Sequence, residues 1–209
     1  MAHQINIVLH VLAGGVALVL GSMAILFNRR VRAHRKLGTI FLYFLTVVVA
    51  TGFVGWMLFR SDPFLLMLTI LSGYEGFAGY RIITMKDKHP VVLDVCVAIA
   101  ALTIGAAYVF VLSDTAATMS WRVVNSTLAA LAIVTVYDIS KYFFTYRFVK
   151  SWWLYEHIYK MIAAFSAILS AFVGTVVEGF RPWSQLGPSV ICTWLIVFFI
   201  WVRARRLSD

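Results

Sequence analysis

Seven long apolar runs, separated by short polar or basic stretches, set the pattern of this chain: 5–27, 37–59, 63–85, 91–112, 119–144, 151–178 and 186–202. An α-helix needs roughly 20 apolar residues to cross a bilayer, and these runs approach or exceed that length. None shows the short alternating segments of barrel strands. The pattern predicts an all-α polytopic membrane protein, a single seven-transmembrane-helix bundle over 1–209. Punctuation agrees with the boundaries. Ser61, Asp62 and Pro63 form a helix start, with proline at the first helical position. His89 and Pro90 end a loop in the same manner, and Gly187 with Pro188 is expected to open the last helix.

Composition points to the same solvent. Of 209 residues, 62% are hydrophobic and 13% charged, with a mean hydropathy of +0.88. A water-soluble domain carries about 25% charged residues, so the surface of this chain suits lipid. The net charge of +9 does not indicate nucleic acid, because the basic residues sit at the ends of apolar runs rather than on one polar face.

Those basic residues are divided unevenly. Of 18 Lys and Arg, only Arg60, Arg122 and Arg181 lie at the ends facing 60–62, 113–118 and 179–185. The others cluster at 28–36, 86–90, 145–150, 203–209 and the adjoining helix ends. By the positive-inside rule the N-terminus is expected outside and the C-terminus in the cytoplasm, as in a bacterial inner membrane. The first run lacks a basic leader and is followed directly by NRRVRAHRK, which predicts a retained span rather than a cleaved signal. Trp56, Trp121, Trp152, Trp153, Trp183 and Trp201 fall near span ends, as interfacial anchors do.

Small residues mark where helices are expected to touch. They are His10, Gly14, Ala17 and Gly21 in the first run; Gly73, Gly76 and Gly79, with Ser72, Gly76 and Tyr80, in the third; and Ala164, Ala167, Ala171 and Gly174 in the sixth. Cys96 and Cys192 lie in apolar runs near opposite faces. They read as buried thiols rather than as a disulfide or a metal pair.

Candidate chemistry centres on 137–161, YDISKYFFTYRFVKSWWLYEHIYKM. If the fifth and sixth runs form a hairpin about Phe148, residues equidistant from it share a depth at about 1.5 Å of rise per residue. Asp138 then faces His157, and Lys141 faces Glu156. Glu156 and Lys160 are i, i+4 partners, and His157 and Lys160 are i, i+3 neighbours. Two readings follow: ion pairs that tie the hairpin, or an Asp138–His157 pair binding a proton, metal or ligand in a cytosol-facing cavity. About the 86–90 turn, Arg81 and Asp94 share a depth and are expected to bridge. Glu75 lies near mid-span with no partner in its own hairpin. A deep carboxyl of this kind is protonated, hydrogen-bonded or facing a wet cavity.

His34, in the basic loop before the second run, is on the same side as His157, and His10 is on the other. His3 and His89 read as solvated residues. There is no HxxxH, HExxH or CxxC, so a divalent metal or a b-type haem would be assembled across helices, with His34 and His157 as ligands.

The segments HVLAGGVALVLGSMAI and HRKLGTIFLYFL, with Gly79–Arg81 as GYR and WLYEHIYKMIAAFSAILSAF from Trp153, resemble a group of prokaryotic integral membrane proteins known as the domain of unknown function 2306 group. The resemblance covers about two helices and the sixth. It implies an integral membrane protein with histidines at His10, His34 and His157, and carries no activity. The functions in view are therefore small-molecule or ion transport or sensing at Glu75, Asp138 and His157; haem- or quinone-linked redox chemistry; and a metal-dependent membrane enzyme using His34, His157, Asp138 or Asp94. The expected partners are the lipid bilayer and a small-molecule ligand.

Overall fold

The computed structural model describes residues 1–59, 63–112 and 121–208, and over these the chain is helical. In order, the helices are α1 (Ala2–Leu26), α2 (Val31–Phe59), α3 (Pro63–Met85), α4 (Val92–Leu112), α5 (Trp121–Ser140), the single turn α6 (Tyr146–Val149), α7 (Trp153–Val176) and α8 (Trp183–Ser208). A π-helical turn (Lys141–Thr145) and a 3₁₀ turn (Lys150–Trp152) join α5, α6 and α7. A further 3₁₀ turn, Glu178–Phe180, precedes α8.

Counted by continuity, the longer helical stretches among the described residues number six rather than the expected seven, because the helical backbone runs unbroken from 121 to 176. The reason is local. The reversal expected as a polar loop at 145–150 is built from π, α and 3₁₀ turns, which keep the backbone hydrogen-bonded while changing its direction. The stretch nevertheless doubles back, since Lys141 meets Glu156 at 2.7 Å and Asp138 meets Lys160 at 2.6 Å. Among the described residues four stretches are long and apolar enough to cross a membrane: Ala2–Leu26, Val31–Phe59, Val123–Val176 and Trp183–Arg205.

Two other boundaries differ from expectation. α2 starts at Val31, not 37, so His34 stands in its first turn and not in a loop. Hydropathy marks the apolar part of a helix, and the helix itself runs on through VRAHRK into the polar boundary. Likewise α8 starts at Trp183, which puts Pro188 inside the helix. There the proline ring withholds the N–H that would bond the carbonyl of Ser184. The expected start at Ser61 and Asp62, and the 113–118 turn, lie outside the described residues.

α3 and α7 form the centre. α1 and α8 pack against α7, α2 packs against α1 and α3, and α4 and α5 flank α3. One apolar cluster joins α1, α2, α7 and α8 through Ala17, Phe41, Leu45, Phe165 and Ile168. A second joins α3, α4 and α5 through Met67, Ile70, Tyr74, Ala98 and Leu131. The small residues work mostly as expected. A Cβ on Gly76 would stand 2.5 Å from Leu45 Cδ2, and one on Gly79 would stand 2.8 Å from Met161 Sδ. The proposed stripe of Ser72, Gly76 and Tyr80 ends early, because Tyr80 is exposed. Cys96 is also exposed rather than buried, while Cys192 is buried. The outward faces of α1 and α8 carry Val8, Val11, Leu12, Val19, Ile191 and Trp194. In water those faces would cost burial free energy, whereas hydrocarbon accepts them.

Candidate functional site

Where α5 reverses into α7, four charged side chains are stacked against α3, with Lys141, Glu156 and Lys160 buried and Asp138 half-buried. Lys141 opens the π-turn and is 2% exposed. Its Nζ donates to both oxygens of Glu156, at 2.7 Å each. One helical turn on, Lys160 is 3% exposed and donates to Asp138 Oδ1 at 2.6 Å and Oδ2 at 2.8 Å. The two pairs are linked, with Lys160 Nζ 4.0 Å from Glu156 Oε2. Two phenols complete the array: Tyr137 donates to Glu156 at 3.0 Å and Tyr74 donates to Asp138 at 2.5 Å. Two ammonium groups face two carboxylates, so the array is electrically balanced. Charges taken out of water need this degree of pairing and hydrogen bonding to persist.

Glu75 adds a third carboxyl to this balanced set. It is 1% exposed, within electrostatic reach of Lys160 and Asp138, and its Oε2 has no hydrogen-bond partner. Among the described residues the only other buried side-chain oxygen in that condition is Ser184 Oγ. Buried oxygens are nearly always satisfied, so an orphaned carboxyl oxygen beside a charge cluster calls for a ligand, a proton or a water.

A cavity of about 30 Å³ runs from this cluster towards the 86–90 turn. It is lined by Tyr74, Arg81, Asp94, Asp138, Lys141 and Lys160 together with apolar side chains that include Met85 and Pro90. That is space for a water or two. At its mouth Arg81 makes the predicted bridge to Asp94, with Nε 2.7 Å from Oδ1 and Nη2 3.2 Å from Oδ2. Asp94 also accepts from the Val91 N–H at 2.8 Å and so caps the start of α4. The Tyr146 hydroxyl donates to the Asp87 carbonyl, which ties the α5–α7 reversal to the same turn.

The expected carboxylate–histidine pair does not form. Asp138 is held by Lys160 and Tyr74, and His157 Nδ1 instead meets the Gly79 carbonyl at 3.1 Å. Lys160 is longer and fully charged, so it captures the carboxylate that His157 was expected to hold. The four residues proposed for a metal enzyme do not converge either, since Asp94 is engaged by Arg81 and Asp138 by Lys160. Among the described residues no group of three or more His, Cys, Asp or Glu is placed to hold a metal ion. His34 and His157 do come together, with ring centres 6.3 Å apart. His10 is remote from them and meets Thr51 Oγ1 at 2.9 Å. His89 is exposed and packs against Tyr142 and Tyr146.

Tyr74 and Tyr137 were not singled out from the sequence, where each lies in an apolar run and reads as core. The available signal was chemical: a buried tyrosine hydroxyl needs an acceptor, and each tyrosine is adjacent in sequence to a carboxylate, Glu75 or Asp138. No family model, no curated protein and no solved structure matches this chain.

Proposed function

We propose that this is a multi-pass membrane protein that transports or senses a small ion or proton-coupled solute, with Glu75 as the group that takes up and releases the proton. One observation carries the reading: Glu75 is fully buried beside a balanced charge array, and its Oε2 is unpartnered. An ionisable group inside a membrane protein is expensive and marks an ion or substrate pathway by default. The small cavity lined by Asp138, Lys160, Arg81 and Asp94 leaves room for water beside the charge array with which Glu75 interacts. In this reading Lys160, shared between Asp138 and Glu156, is the cation that responds when the charge on Glu75 changes.

The proposed topology has seven crossings, the stretch from 121 to 176 supplying two of them by folding back. The N-terminus is outside, and the basic ends, including 28–36 and 86–90, are cytoplasmic. A bacterial inner membrane fits that arrangement. Single cysteines introduced at Asn28 and Lys88 are expected to react with an impermeant maleimide only after the cells are opened. A cysteine at His3 should react in intact cells. Labelling of Asn28 in intact cells would invert the topology.

The direct test of function is proton flux into proteoliposomes, with a pH dye trapped inside and a potassium diffusion potential as the drive. Wild-type protein is expected to acidify the lumen faster than protein-free vesicles. Glu75→Gln, which keeps the shape of the side chain, should lower that rate at least tenfold without changing thermal stability in detergent. Equal rates for Glu75→Gln and wild type, or a wild-type rate no greater than that of empty vesicles, would end the proposal.

A further inference from the structure

The His34–His157 pair plays no part in the proton reading above, and its hydrogen bonds are of a particular kind. His34 Nδ1 is 2.9 Å from the Ala24 carbonyl, and His157 Nδ1 is 3.1 Å from the Gly79 carbonyl. A carbonyl oxygen only accepts, so in its neutral form each ring carries its proton on Nδ1 and has its free lone pair on Nε2. Both carbonyls have a reason to be available. Ala24 lies in the last turn of α1, where carbonyls lose their helical partners. Gly79 lets α7 approach the α3 backbone closely, since a Cβ there would meet Met161 and Lys160. The same tie, Nδ1–H to a carbonyl, fixes metal-binding histidines in the right tautomer and orientation.

The rings are 6.3 Å apart, centre to centre, with planes at 86°. With metal–nitrogen bonds of about 2.0–2.1 Å, two imidazoles sharing one ion have ring centres about 5–6.5 Å apart, depending on the angle at the metal. The observed separation lies at the wide end of that range, which a shared ion would reach with its two nitrogens nearly trans. Tetrahedral zinc belongs at the narrow end, while tetragonal copper takes trans nitrogens readily. Beside His157, α3 and α7 are closely packed, since a Cβ on Gly79 would stand 2.8 Å from Met161 Sδ and 3.3 Å from Lys160 Cβ. That packing suits a bare ion better than a macrocycle. Both histidines are half-buried, so an ion can reach them from the boundary.

We infer that His34 and His157 form a two-imidazole site for a copper-class transition-metal ion, with their Nε2 atoms trans and the remaining positions left to solvent. No carboxylate contributes, and Arg32, Arg35 and Lys36 are neighbours in sequence. The site therefore selects for the strength of the metal–imidazole bond rather than for charge, and calcium and magnesium do not bind.

The test uses the full chain in detergent, stripped with a chelator, loaded with Cu²⁺ and desalted. The expected result is one copper per chain with an electron paramagnetic resonance spectrum showing coupling to two nitrogens. His34→Ala and His157→Ala should each weaken binding at least tenfold, and His89→Ala should leave it unchanged. Copper should raise the thermal unfolding midpoint of wild type but not of either site variant. If His157→Ala fails to fold, His34→Ala, in the first turn of α2, decides the matter alone. Protons compete for Nε2, so copper should be released as the pH is lowered from 7.5 to 5. Absence of stoichiometric copper, or full binding by His34→Ala, would overturn the assignment. A Soret band in protein as purified, lost in His157→Ala, would overturn the bare ion in favour of haem.

Discussion

Glu156→Leu is expected to lower stability by about 3–5 kcal/mol, the range measured when one partner of a buried ion pair is removed. The loss arises from what is left behind. Lys141, 2% exposed, would keep its ammonium group without the two 2.7 Å bonds to Glu156 that now satisfy it. Lys160 would lose its second carboxylate and Tyr137 its acceptor. The midpoint of unfolding in mixed sodium dodecyl sulphate micelles measures the effect. The informative comparison is Glu156→Leu combined with Lys141→Met and Tyr137→Phe, which removes donors and acceptor together. That variant should return to within about 2 kcal/mol of wild type, because a well-packed apolar replacement of a buried ion pair is close to neutral. A single variant within about 1 kcal/mol of wild type would mean that Lys141 gains little from Glu156, and the ion-paired array described above would be wrong.

Gly21→Val should cost about 3 kcal/mol, the upper end of the usual range for over-packing. A Cβ at Gly21 would lie 2.5 Å from Phe165 Cδ2 and 3.2 Å from Phe41 Cδ2. Two aromatic rings bound the site, and both sit in the cluster that joins α1, α2 and α7. Neither ring can yield without moving its helix, unlike the flexible methionine against Gly79. The control is Gly15→Ala, where nothing lies within 4 Å of the new atom. There the better helix propensity of alanine should raise stability by up to about 1 kcal/mol. Equal stabilities for the two variants in the same micelle assay would show that α1 does not pack on α7 at Gly21.

The charged pairs within a hairpin were legible because depth follows from counting residues away from a turn. Arg81 with Asp94 and Lys141 with Glu156 were found in that way, and Glu156 with Lys160 followed from helical spacing. Counting could not choose between His157 and Lys160 as the partner of Asp138. The two lie three residues apart on one face of α7, and side-chain length and charge decide between them. Contacts between hairpins were invisible to the same arithmetic. Nothing in the order of the chain states that α3 and α7 are neighbours, so Glu75 was grouped with Asp138 and His157 without a contact to place it, and its electrostatic partners are Lys160 and Asp138. The long apolar runs were legible as helices, whereas the unbroken backbone from 121 to 176 was not. A turn made of π and 3₁₀ hydrogen bonds uses aromatic and basic residues, with no glycine or proline to mark it.

That reversal has a consequence for how the gene can vary. The two ion pairs straddle it, so a residue inserted or deleted between 141 and 152 would rotate α7 against α5 by about 100° and carry Glu156 and Lys160 away from their partners together. A flexible loop would absorb such a change, whereas a hydrogen-bonded turn transmits it. A change in the length of this turn is therefore expected to cost both ion pairs at once, whereas exchanging the charges in pairs at constant length is not.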